Sequence, residues 1–312
     1  MIDLPLGPER LKRLLQGRQF ATLEEAQAAV ADLMRDYNDA PQDELDGASP
    51  NLMAALFRKP AKGGPLRLDP AAVAPEAVDG AQVLRNLWRV VDVADGAKLT
   101  AARYLPPAVV RRILEGWSWG HPDLPIAPPV AIREMEFPDL LFVRSLALAM
   151  GLLRVERGRV VAPPRKRAAF AKRAPAAQFD RAFRAAFLEW DLGDLTRIDD
   201  LREVQPWVPW VLWRLSALGD GSAQAGAVLD ALLPPALRDA PEETVMQYRI
   251  LLLIGIVTPL QHFGLLRGVI APGMARGDPL AAHFALTPLF RQYVTFDTAC
   301  RPAAIGARQD HA

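Results

Sequence analysis

Eight cationic side chains crowd one short stretch of this 312-residue chain. In "LLRVERGRVVAPPRKRAAFAKR" they are Arg154, Arg157, Arg159, Arg165, Lys166, Arg167, Lys172 and Arg173. Such a density of guanidinium and ammonium groups can hold phosphate oxygens, arginine through forked hydrogen bonds and lysine as a point charge. A solvated basic linker has the same composition. What separates the two is the element that carries the charges.

The other residue types with chemical potential do not assemble into a site. His121, His262, His283 and His311 are scattered, and Cys300 is the single cysteine. A zinc centre needs about four ligands at short, regular spacings, and no such set is present. His262 and His283 could approach each other across a hairpin, but two ligands are too few. The acidic stretches "DYNDAPQDELDG" (36–47) and "EWDLGDLTRIDD" (189–200) fit turns and helix caps better than paired acid and base groups. Ser222 in "GDGSAQAG" fails the nucleophile-elbow pattern, and "AKGGP" lacks the strand and Lys-Ser/Thr of a phosphate loop. Trp207, Trp210 and Trp213 could stack bases, yet large aromatics at helical spacing are expected in a core. The expectation is a non-enzymatic protein with no metal and no cofactor.

The elements needed to present the basic run can be read from helix signals. Thr22 and Glu25 form a capping box ahead of Leu23, Ala26, Val30, Leu33 and Tyr37 at helical spacing. Ser49 and Pro50 suit the start of a second helix, 51–57. "RKPAKGGPLRLDPAAVAPEAVDG" reads as a connector. Next comes a helix with Val83, Leu84, Leu87, Trp88 and Val91 on one face, closed by Asp95-Gly96. "AKLTAARYL" is a strand candidate, "PPAVVRRILEG" a helix, and "FPDLLFVRSLALAM" a third helix. A hairpin follows, "LLRV" and "RVVA" around "ERG". Helix, strand, helix, helix, hairpin is the order of a winged helix.

The tetrapeptide "GLLR" occurs at 151–154 and again at 264–267. Each copy follows an apolar helical run and precedes a hairpin candidate. Around the second, helices are expected at 200–218, 222–233 and 242–261, the last kinked at Pro259, with strands in "GLLRGVI" and "HFALTPLF". In both copies Gly ends a helix, the two leucines start a strand against the core, and Arg sits at the root of the wing. The expected fold is therefore mainly α, with a helical N-terminal module and two tandem winged-helix-like units carrying short β-hairpins. The expected divisions are an N-terminal module at 1–60, a linker at 61–78, units at 79–175 and 176–300, and a flexible tail at 301–312.

"GAKLTAARYLPPAVVRRIL" followed by "GLLRVERGRVVAPP" resembles the winged-helix-like C-terminal part of bacterial proteins of the Ri-plasmid orf-three type. Their pattern is "KLT-x-x-G-x-LPP-x-V", then "LGLLR" and a glycine turn. Arg103 stands where that pattern has glycine. "DELDGASPNLM" (43–53) is similar to the "F-x-G-x-SP-x-x-M" opening of a second set of uncharacterised bacterial proteins, with Leu45 and Asp46 as departures. The motifs are structural, so the resemblance implies a fold and transfers no catalytic residue.

With 37 basic and 36 acidic residues the chain lacks the overall positive charge that marks many nucleic-acid binders, so any such contact must be local. The third helix offers only Arg144 and Ser145 to base edges, and its later counterpart only Gln247 and Arg249. Arg111 and Arg112 could touch phosphates without reading bases. The expectation is weak or nonspecific contact with double-stranded DNA through the first wing. The alternative is an interaction scaffold that binds a protein partner or a second copy of itself. The N-terminus lacks a signal-peptide h-region, and "ILLLIGIVTPL" is too short to span a bilayer. A cytoplasmic protein with no membrane segment is expected.

Overall fold

The structure is a computed structural model and describes residues 15–16, 19–58, 64–79, 81–117, 133–269 and 283–305. The protein is mainly α-helical, with short strands.

Local signals start the first helices. In α1 (Leu23–Asp39) the Thr22 side chain accepts from the Glu25 N–H, and the Glu25 carboxylate accepts from the Ala21 N–H. The expected apolar face of α1 is only half-buried, and Leu23 is exposed. Ser49 caps α2 (Pro50–Leu56) through the Leu52 N–H, with Pro50 in the first turn where its missing N–H costs nothing. The stretch read as a connector carries β1 (Leu66–Leu68) and α3 (Pro75–Asp79). Its residues 64–79 are tied into the fold through the pairing of β1.

The first unit follows. In α4 (Gln82–Ala94), Val83, Leu84, Leu87, Val90, Val91 and Ala94 are buried. Residues 96–99 then run beside the later hairpin, α5 spans Pro107–Leu114 and α6 spans Pro138–Ala149. The loop containing His121 lies outside the described residues, as does His311. Strands β2 (Arg154–Glu156) and β3 (Arg159–Val161) pair around Arg157 and Gly158, whose φ values of 48° and 75° are those of a tight hairpin turn. Lys98 bridges Arg159, which puts β3 between the 96–99 segment and β2. The strand candidate "AKLTAARYL" is thus ordered as strand only at its start.

Two helices follow that the sequence reading did not assign: α7 (Pro164–Ala171) and α8 (Pro175–Arg184), the latter continued by a π turn over Ala185–Glu189. Short helices α9 (Leu192–Thr196) and α10 (Leu201–Val204) lead to α11 (Val208–Leu215). Trp210 and Trp213 are fully buried, and the Trp210 Nε1–H donates to the Leu232 carbonyl at 2.9 Å, so the tryptophan run is core.

The second unit departs from expectation at its start. Ser222–Gln224 is a strand, β4, rather than the beginning of a helix; α12 (Ala225–Leu232) begins only after it. Pairing with a distant strand overrides the helical leaning of "SAQAG". Helix α13 (Glu242–Leu252) passes through a π turn, Leu253–Val257, into α14 (Thr258–His262). The widened turn lies just before Pro259, whose ring cannot fit beneath a regular α-helical carbonyl. Strands β5 (Leu266–Val269) and β6 (His283–Leu286) complete a sheet of order β4-β6-β5. The expected wing between them, 270–282, lies outside the described residues. Helix α15 (Pro288–Tyr293) is capped by Thr287, and β7 (Val294–Phe296) pairs antiparallel with β1.

Both GLLR copies make the same corner. Gly151 and Gly264 have φ of 71° and 68°. In the first, the N–H groups of Gly151 and Leu152 reach the carbonyls of Leu148 and Ala147; in the second, those of Gly264 and Leu265 reach Gln261 and Leu260. This is the Schellman pattern, which needs a left-handed residue and so favours glycine. The following leucines are buried, and Arg154 and Arg267 each enter a strand. In both sheets the last strand is central, flanked by the early strand and the GLLR strand.

One continuous hydrophobic cluster runs through both units and the N-terminal helices. The third helices do not pack on each other. Instead α6 rests mainly on α4 and α9, and α13 on α10 and α12. Helix α8 touches α4, and its π turn touches α6. On the other side, the rings of Phe179, Phe183 and Phe187 meet Phe263, and those of Phe179 and Phe183 also meet Tyr293. The run Glu242–His262 is long and apolar enough to cross a membrane by length and composition, with mean hydropathy 1.3. Its faces on α10 and α12 are buried, as in a core helix. The tail reaches inward too: Ala303 donates to Asp46, and Arg214 donates to Ala303.

Candidate functional site

All eight basic residues of the 154–173 run are exposed. Arg154, Arg157 and Arg159 lie on the β2–β3 hairpin, Arg165, Lys166 and Arg167 on α7, and Lys172 and Arg173 just beyond it. The end of α4 anchors both elements. Asp95 Oδ1 accepts from the Ala162 N–H at 2.9 Å, Arg159 donates to the Gly96 carbonyl at 3.0 Å, and Asp92 pairs with Arg167 at 2.6 Å. Arg154 pairs with its strand neighbour Glu156 at 2.7 Å. The remaining six have no carboxylate partner among the described residues.

The helix that would read bases in a winged helix is not free to do so. From Asp139 to Ala149 no residue of α6 is exposed. Arg144, one of its two polar candidates, turns inward against Glu134. Glu134 also accepts from the Leu105 N–H at 2.7 Å. Burial raises the Glu134 carboxyl and lowers the Arg144 guanidinium from their ordinary values, and the charge of each partner opposes that shift.

Other residues weighed from sequence take structural roles. Asp191 caps α9 and, with Asp194 and Asp199, surrounds Arg202. Asp46 sits at a buried corner with Arg238 and Arg214. His262 Nε2 lies 3.1 Å from Asp139 Oδ1, close enough for an ion pair but not aligned as a hydrogen bond; the neighbour of His262 is thus Asp139 of α6. Among the described residues no group of three or more His, Cys, Asp or Glu is arranged to hold a metal ion.

A groove that sequence reasoning missed lies between the hairpin and α9. It has a volume of about 370 Å³, and Arg144, Ser145, Leu148 and Ala149 of α6 form one side. Arg103, Val155, Trp190, Arg197 and the carboxylate Asp194 also line it. Arg103 and Arg197 have φ of 62° and 61°, a left-handed conformation that costs a non-glycine residue roughly 1–2 kcal/mol. The available signals were Arg103 at a glycine position of the orf-three-type pattern, and a lone arginine within an apolar helix.

Searches against protein-family models, curated proteins and solved structures find no match to this chain.

Proposed function

We propose that the chain is a non-enzymatic, cytoplasmic binding protein built from two tandem winged-helix-like units, of the kind its orf-three-type resemblance implies. The first unit contacts the DNA backbone through its wing and α7. The observation that carries this reading is the exposure of all eight basic residues on, or just past, two elements anchored to the end of one helix. Contacts from such groups to phosphate fix position without reading sequence. The buried α6 supports backbone contact alone, so duplexes of different sequence bind alike. The test is fluorescence anisotropy with random duplexes at low salt. Binding that is independent of sequence and weakened by added salt supports the reading, and no binding at low salt removes it.

A second reading, self-association as a scaffold, is favoured by one feature of α13 and the turn after it. Met246, Ile250 and Ile254 recur every four residues and are exposed, forming an apolar stripe on the surface. Sedimentation should then show a dimer that M246K/I250K abolishes; a monomer at all concentrations removes this reading.

A further inference from the structure

The groove between the hairpin and α9 has the chemistry of an anion site. Arg103 and Arg197 carry no ion pair among the described residues, whereas Glu134 is taken up by Arg144 and Asp194 by Arg202. Arg197 is held over the Tyr104 ring, 4.6 Å from its centroid. Two arginines in the left-handed region stand at one groove, where glycine would relieve the backbone at either position. Strain of this kind gathers where a side chain is held for a ligand. The half-exposed Trp190 adds a flat aromatic surface, with Val155 and Leu148 as further apolar lining. The volume falls within the range of small-molecule sites.

We propose that this groove binds a small phosphate-bearing molecule with a flat ring, of nucleoside monophosphate size. Arg103 and Arg197 hold the phosphate, and the ring lies against Trp190. The site involves none of the eight basic side chains of the 154–173 run, so it stands whether or not those bind DNA.

The test is calorimetric titration of the full chain with AMP, adenosine and inorganic phosphate. AMP is expected to bind saturably and about tenfold or more tighter than adenosine or phosphate alone, the gain expected of one or two charge-assisted hydrogen bonds. R103G and R197G should each weaken AMP about tenfold or more while leaving the melting temperature unchanged or higher, because glycine accepts the backbone conformation. R103K, which keeps the strain and a charge but loses the fork, should fall between. The proposal is overturned if AMP binds no tighter than adenosine, if no small ligand binds, or if both glycine variants bind as the parent does.

Discussion

The DNA reading makes a numerical claim about salt. Each phosphate neutralised on duplex DNA releases counterions and contributes about −0.9 to the slope of log Kobs against log salt. Arg154 is held by Glu156 and Arg167 by Asp92, which leaves Arg157, Arg159, Arg165, Lys166, Lys172 and Arg173 to meet phosphates. With all six engaged, the slope is about −5, and affinity falls about a thousandfold between 50 and 200 mM salt. The eight cations are not equivalent. R165A and K166A should each make the slope shallower by about 0.9, whereas R167A, already paired, should change it far less. The triple variant R165A/K166A/R167A then loses about two units, not three. Anisotropy titrations with a labelled random duplex at four or five salt concentrations give these slopes. A parent slope shallower than about −1, or a triple variant with the parent slope, would refute the reasoning.

Other expectations follow from single sites. G151A and G264A should each destabilise by roughly 1–2 kcal/mol in denaturant melts, since each forces alanine into a left-handed corner; Gly151 has open space around it, so its cost is conformational alone. A large difference between the two would speak against equivalent corners. R144M should cost about 3–5 kcal/mol by stranding Glu134 in the interior, while E134L/R144M together should cost much less. A double variant as unstable as the single would mean that shape, not charge, holds the site. F183A should cost about 3–5 kcal/mol, because its ring meets four others in the core, and thermal unfolding measures it.

How far the fold was legible follows from the range of each signal. Thr22, Ser49 and Gly151 act within a few residues, and the structure finds each doing its expected work. Pro164 and Pro175 carry a helix-start signal that the basic composition around them hides: each opens a helix in its first turn. Phe179, Phe183 and Phe187, spaced by four, were the overlooked sign of α8. The strand Ser222–Gln224 has little local preference and exists because β6 lies beside it. The groove was less legible still. Residue 103 comes from the loop after 96–99, 144 from α6 and 197 from the end of α9, and only packing brings them together.

The two corners also explain why a shared corner need not mean a shared use. In both units the turn after the third helix fixes where the next strand begins, and the leucines hold that strand to the core. What the chain beyond that strand then carries is free to vary. In the first unit the hairpin and α7 gather unpaired cations around the end of α4, while α6 is covered by α9 and sealed by an internal ion pair. In the second, the early segment is a full strand, β4, rather than a single bridge, and the third helix leaves an apolar stripe exposed. Phosphate contact in one unit and association through the other therefore need different surfaces. R165A/K166A and M246K/I250K should separate them: the first makes the salt slope of DNA binding about two units shallower and spares association, the second abolishes association and spares DNA binding. Loss of both from either pair would mean that the two surfaces are one.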